Sequence, residues 1–190
     1  AGLDTAHPIK FGVIGPMDWI QGIGMREGAI LAADQINEAG GILGRKVVIK
    51  TGDEGVDPAR GKAEMERLCA DEKVHFLIGG FRTEIVDPER QIAMDYRIPF
   101  TIDGAATPWL IDCRTTSTVQ DPIHGYPCGK CVYCDYNRYK YLFRVSPTNS
   151  DVLFSNFLVP YIRDYLIPSV LMPALNVTPI KVGVVIGNLY

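Results

Sequence analysis

The sequence predicts an α/β fold, a doubly wound parallel sheet followed by the beginning of a second α/β unit. Three observations carry that prediction. Short apolar runs alternate with helix-like stretches from Ile9 to Ile102, and strands separated by a helix must run parallel with right-handed crossovers. Each apolar run passes straight into a loop of small or hydroxyl residues: Gly15-Pro16-Met17-Asp18-Trp19, Gly52-Asp53-Glu54-Gly55, Gly79-Gly80-Phe81-Arg82-Thr83 and Asp103-Gly104-Ala105-Ala106-Thr107. Ligands of open α/β sheets sit outside the carboxyl ends of the strands, so loops of this kind outline one crevice. Finally, a chain of 190 residues with 47% hydrophobic content is long enough for one buried core and part of another.

Ile9 to Ile14 alternates as a strand, and Gly24 to Ala39 places Ile30, Leu31, Ala33, Asp34 and Ile36 at helical spacing. Gly40-Gly41 stops that helix, because glycine takes the left-handed conformation past a C-terminus without a Cβ clash. Lys46 to Thr51 is the second strand. Asp57 caps, and Pro58 opens, a helix through Met65 and Leu68 to Ala70. Val74 to Ile78 is a short, nearly continuous apolar strand of the kind covered on both faces. A helix over Glu84 to Tyr96 and a strand over Ile98 to Ile102 complete the repeat.

After Thr107-Pro108 the pattern changes. Cys113 to Arg138 is polar and contains Pro and Tyr, an insertion within a first lobe spanning residues 1–145. Tyr141 to Val145 resumes strand character. Asn149-Ser150-Asp151 caps an amphipathic helix toward Tyr165, a Pro-rich connection follows, and Lys181 to Ile186 is a buried-type strand. Residues 146–190 are therefore expected to be a crossover helix and the first strand of an incomplete second lobe.

A net charge of −3 with no basic stripe argues against nucleic acid as the main partner, since phosphate neutralisation needs clustered Lys and Arg. No apolar run reaches the roughly 18 residues of a membrane span; the longest candidate, Tyr165 to Val177, is broken by Pro168 and Pro173. The first residues carry no basic-plus-apolar leader, which fits either a cytoplasmic chain or an exported one whose signal peptide has been removed. Gly22, Gly24 and Gly28 have the wrong spacing for a dinucleotide fingerprint. With no Ser/His/Asp or Cys/His arrangement in the sequence, binding is expected rather than catalysis.

The runs Ile9-Lys-Phe-Gly-Val-Ile-Gly-Pro16, Gly28-Ala-Ile-Leu-Ala-Ala-Asp-Gln-Ile-Asn-Glu-Ala-Gly-Gly-Ile-Leu-Gly-Arg-Lys46, Gly52-Asp-Glu-Gly-Val-Asp-Pro58 and Phe76-Leu-Ile-Gly-Gly80 occur in order. Together they resemble the type I periplasmic substrate-binding proteins of ABC importers, of the branched-chain amino-acid (Leu/Ile/Val) binding kind. The resemblance covers Ile9 to Pro108 and resumes from Tyr141-Leu-Phe-Arg-Val145. It implies a two-lobed receptor, periplasmic or extracellular, that holds an amino-acid-like or polar carboxylate solute between its lobes. Its partner would be an ABC permease, touching the membrane only through that transporter, with no cofactor required. It further implies that Thr83 supplies a hydroxyl, and Ala105, Ala106 and Thr107 a small-small-Thr group, to the solute's charged ends. Hydroxyls and free N–H groups at helix N-termini independently suit a carboxylate. Arg82 and Glu84 depart from the pattern, being bulky and charged where amino-acid binders tend to be small.

Trp19, with Met17 and Asp18, is a candidate wall of the crevice, the alternative being a packing aromatic. Arg82 is suited to clamp a carboxylate, or else to pair with Glu84 or Asp87. Asp53 and Glu54 are adjacent acids of the sort that cap a turn and a helix more often than they catalyse.

The resemblance does not account for the cysteines. Cys69 sits at an apolar helix position and is expected to be a core thiol. Cys113, Cys128, Cys131 and Cys134 form a Cys-x14-Cys-x2-Cys-x2-Cys array open to three readings: two disulfides, a structural zinc site with His124 as a substitute ligand, or an iron–sulfur cluster. Cys128 and Cys131 are too close to bond comfortably to each other, so a disulfide from Cys113 would reach one of the trio. Two other functions compete with solute capture: a sensory ligand-binding domain of a signalling protein, and a metal-containing Rossmann-like enzyme.

Overall fold

The computed structural model describes residues 6–107, 110–111, 131–132, 135–145, 160–171 and 173. The chain divides into two compact units, Ala1–Pro147 and Thr148–Tyr190.

In the first unit, β1 (Ile9–Gly15), α1 (Ile20–Glu38), β2 (Val47–Asp53), α2 (Pro58–Ala70), β3 (Phe76–Gly79), α3 (Thr83–Asp95) and β4 (Phe100–Ile102) alternate, and α4 (Tyr136–Tyr139) leads into β5 (Leu142–Arg144). All pairings are parallel, in the order β2-β1-β3-β4-β5. This is the doubly wound sheet that the sequence predicts. The chain steps outward from β1 to β2, then crosses back over β1 to β3 and proceeds the other way. Right-handed crossovers therefore put α1 on one face and α2 with α3 on the other, and leave a switch point between β1 and β3.

The alternation of β1 assigns its residues to these two faces. Ile14 belongs to the core cluster on the α2/α3 side, with Met65, Leu68 and Cys69 of α2, Val86 and Ile92 of α3, and Phe100 and Ile102 of β4. Burial of about 1.5–3 kcal/mol per large apolar side chain makes this layer the main source of stability. Cys69 is buried there, and desolvation pushes its thiol up to about 12, so it is the inert core group expected from its spacing. On the opposite face Phe11 and Phe76, paired in register, stack with ring centroids 5.0 Å apart.

Most element ends follow local chemistry. Asp57 caps α2 by accepting from the backbone N–H groups of Ala59 (2.7 Å) and Arg60 (3.0 Å), with Pro58 at the first helical position. Past the C-terminus of α1, Gly40 and Gly41 take φ of 99° and 79°, and the Gly41 N–H returns to the Ile36 carbonyl at 2.8 Å. Several boundaries shift from the sequence-based expectation, β4 opening at Phe100 rather than Ile98 among them, and two of the shifts have an evident cause. Helix α1 begins at Ile20 rather than Gly24, because Gly22 lets its first turn lie against Pro16, whose carbonyl oxygen would be 2.1 Å from a Cβ there. Strand β3 begins at Phe76 rather than Val74; the Val74 N–H bonds to the Leu68 carbonyl, which ties it to the end of α2.

In the second unit the described residues form a wide π-type helical segment over Tyr161–Leu171, with Tyr161 and Tyr165 stacked at 5.4 Å. The helix thus runs through Pro168, where a connection was expected. The proposed cap at Asn149-Ser150-Asp151 and the strand from Lys181 to Ile186 lie outside the described residues.

Candidate functional site

The carboxyl ends of the strands are stitched into one surface. The Gly80 N–H donates to the Ile14 carbonyl at 2.9 Å, and the N–H groups of Gly104 and Ala105 donate to the Gly80 carbonyl at 3.0 and 3.2 Å. The N–H of Met17 reaches Asp53 Oδ1 at 3.0 Å, and Glu54 N–H reaches the Gly15 carbonyl at 3.1 Å. Thus the loops after β1, β2, β3 and β4 hold one another, around the switch point where such sheets bind ligands.

At the center of this surface, Thr83 and Thr107 face each other with their hydroxyl oxygens 2.6 Å apart. Thr83 is the first residue of α3, so it sits beside the N–H groups of a helix N-terminus, which favour an anion. Thr107 ends the loop after β4. Ala105 is buried, and Ala106 is half-buried between it and Thr107.

Trp19, just before α1, is about half exposed, and its ring lies 6.4 Å from that of Phe81 at a 59° tilt. Asp18 is exposed in the same loop. Arg82 forms an ion pair with Glu84 at 2.5 Å, the surface pairing that its neighbours made available. Asp53 also accepts from the Gly55 N–H at 3.0 Å and pairs with Arg60, so it organises the turn, as adjacent acids after a strand commonly do.

One residue went unread in the sequence, and another, read there with Asp53 as a turn-capping acid, takes a different place. Arg144, the last residue of β5, donates from Nη1 to the Thr107 carbonyl at 3.0 Å, and partial burial lowers its pKa through desolvation. Its place at the carboxyl end of a strand was the available signal. Glu54, adjacent to Asp53 in sequence, points the other way: it is fully buried, and its Oε1 accepts from the Phe81 N–H at 3.3 Å. Desolvation is the main cause that raises its pKa to about 6.

Of the cysteine array, Cys131 is described and buried, while Cys113, Cys128, Cys134 and His124 lie outside the described residues. A separate open depression, at the other end of α3, is lined by Asp95, Arg97, Asp135 and Arg138. Its charges are partly matched, with Arg138 and Asp95 paired at 2.9 Å.

A parallel sheet with this strand order is common to several ligand-binding families, and the sequence decides among them. The family profile described as periplasmic binding protein matches residues 8–150. The chain belongs to the periplasmic binding protein family. A Leu/Ile/Val-binding protein homolog of Brucella abortus is 33% identical over 108 residues, 57% of this chain and 29% of that protein. Among solved structures, the branched-chain amino acid transporter substrate-binding protein LivJ of Streptococcus pneumoniae, in complex with isoleucine, superimposes with a TM-score of 0.60 at 21% identity. That match covers 84% of this chain and 39% of LivJ. A possible leucine/isoleucine/valine-binding protein from Rhodopirellula baltica gives 0.51 at 26% identity, over 61% of this chain and 31% of that one.

This periplasmic binding protein chain therefore spans under a third of the curated relative. The parallel α/β sheet of the first unit agrees with the fold of these structures. Among the described residues no helix is long and apolar enough to cross a membrane.

Proposed function

We propose that this chain is the first lobe of an extracytoplasmic solute-binding component of an ABC importer. Its crevice holds the charged end of a small amino-acid-like or polar carboxylate solute. The observation that carries this reading is the Thr83–Thr107 hydroxyl pair, 2.6 Å apart at the N-terminus of α3 and at the carboxyl edge of the sheet. Two hydroxyls that now bond each other can each turn a donor toward a carboxylate, with the first N–H groups of α3 beside them.

The relatives named as Leu/Ile/Val-binding support a solute with an α-carboxylate and an ammonium. In this reading the Ala105 carbonyl faces the ammonium, Ala106 shapes the loop, and Trp19 with Asp18 borders the solute side chain. Arg82 would have to leave Glu84 to reach the solute, whereas Arg144 already braces Thr107. Capture and presentation to a permease involve no covalent step, and the crevice needs no cofactor. We read the four-cysteine array as two disulfides or a zinc or iron–sulfur site rather than as part of the solute-binding residues.

A thermal-shift screen of the full-length protein against leucine, isoleucine, valine, other amino acids, small carboxylates, amides and aromatic acids tests this reading. A solute present at 100 times its Kd is expected to stabilise the protein by about 2.7 kcal/mol, a selective rise in Tm. A flat response to every carboxylate in the panel would remove the proposal.

A further inference from the structure

We propose that Glu54 and Glu89 form a proton-sharing carboxyl pair beneath the crevice, and that this pair positions the loop carrying Thr83 through the backbone amide of Phe81. The inference concerns the support of the crevice and holds whatever the solute is.

Both side chains are fully buried. Glu89, on α3, sits between two glycines: a Cβ at Gly61 of α2 would lie 2.8 Å from its Oε1, and one at Gly80 would lie 3.5 Å from its Oε2. A Cβ at Gly61 would also approach that of Glu54 to 3.5 Å, so the two carboxyls share one compartment under the Gly80–Phe81 turn. If both were ionised, Glu54 Oε2 and both oxygens of Glu89 would have no hydrogen-bond donor. A proton on one carboxyl supplies a donor and lets two of these three oxygens bond each other. Burying two adjacent anions instead would cost far more than retaining that proton.

Among the described residues the neighbouring charges are matched elsewhere. From the loop after β2, Asp53 is held by Arg60 of α2; Glu64 of α2 is held by Arg67. Around the start of α3, Glu84 pairs with Arg82, and Asp87 pairs with Arg90. The cations near the pair are thus engaged with other acids, while Asp53 and Glu84 add negative potential. Desolvation first, and then the Glu54 charge, hold Glu89 well above the ordinary carboxylate range. The protons belong to the pair as a coupled unit.

The other oxygen of the unit, Glu54 Oε1, accepts from Phe81 N–H. Phe81 in turn packs its ring against Trp19, and its Cα would lie 2.9 Å from a Cβ on Gly104. Glu54 and Glu89 are therefore positioning residues for the loops after β1, β3 and β4. When the shared proton leaves, the two buried carboxylates repel; the Phe81 N–H, whose bond favours ionised Glu54, opposes that repulsion without offsetting it, and Glu54 shifts away from the amide. The pKa values are raised in the folded state, so between the ordinary value of 4.5 and the folded titrations the native chain holds protons the unfolded chain has lost. The pair's contribution to stability is complete below 4.5 and declines as pH rises through the Glu54 titration at about 6 and the raised titration of Glu89.

The experiment combines infrared spectroscopy with amide hydrogen exchange on the wild-type chain and the Glu54→Gln, Glu89→Gln and Glu89→Leu variants, without any ligand. At neutral pH a protonated-carboxyl C=O band is expected in the wild type and lost on alkaline titration; it should be absent from Glu89→Gln, and in Glu54→Gln it should titrate at lower pH than in the wild type, because desolvation of Glu89 remains while the Glu54 charge is gone. Exchange protection at Phe81, corrected for intrinsic rate, is expected to fall about tenfold as that band disappears, the loss of one hydrogen bond. The Gly41 amide, bonded to the Ile36 carbonyl past the end of α1, serves as the unchanged reference. Glu89→Gln replaces the shared proton by a fixed N–H donor, so its Phe81 protection should no longer depend on pH. Glu89→Leu should lack it throughout; should that variant not fold, the Gln variants and the infrared band still decide. No band at neutral pH, or Phe81 protection indifferent to the band's titration, would overturn the proposal and leave the solute-binding reading standing.

Discussion

Gly79→Ala is expected to cost about 3–5 kcal/mol of stability, an overpacking and backbone-strain effect at the upper end of single substitutions. Gly79 closes β3 with φ of 121°, and a Cβ there would lie 1.9 Å from the Ile14 carbonyl oxygen. Neither partner can yield cheaply. The same carbonyl accepts from Gly80 N–H at 2.9 Å, and Ile14 is fully buried in the core. Moving the two strand ends apart would break the switch point itself. Gly24→Ala is the matching control: that position lies inside α1 with nothing within 4 Å of a Cβ, so helix propensity alone should act. It is expected to gain about 0.5–1 kcal/mol. Urea unfolding of both variants measures the contrast; equal midpoints for the two would show that the close approach of β1 and β3 is not a structural constraint.

In the full-length protein, Thr83→Ala and Thr107→Ala are each expected to weaken solute binding by about 1–3 kcal/mol, the loss of a hydrogen bond to a charged group. The double variant should cost less than the sum. The two hydroxyls bond each other at 2.6 Å, so removing one alters the donor capacity and orientation of the other. Calorimetric titration with the solute identified by the thermal-shift screen checks this. Unchanged affinity in both single variants would take the hydroxyl pair out of the binding site, and strict additivity would show that the solute meets them independently.

Much of the fold was legible because its signals are local. The Asp57-Pro58 cap, the Gly40-Gly41 stop and the apolar strand runs each depend on neighbours a few residues away, and each appears in the structure. Boundaries slipped where a distant contact intervened, as at Gly22 against Pro16. The crevice loops could be listed in advance because every strand of a parallel sheet delivers its carboxyl end to the same edge. Arg144 could have joined them by that rule, yet a strand of three residues after a long insertion gave it little prominence.

Composition, periodicity and turn chemistry by themselves determined the α/β class, the parallel sense of the strands and the loops that meet at the crevice, because these follow from backbone sterics and burial of period-matched apolar residues. Only tertiary structure decided which loop residues touch. It brought Thr83 to Thr107, paired Arg82 with Glu84, and separated Glu54 from its neighbour Asp53 by sending it inward to Glu89. The physical reason is that hydrogen bonding and carboxyl ionisation depend on distances and local dielectric across elements, and spacing along the chain specifies neither.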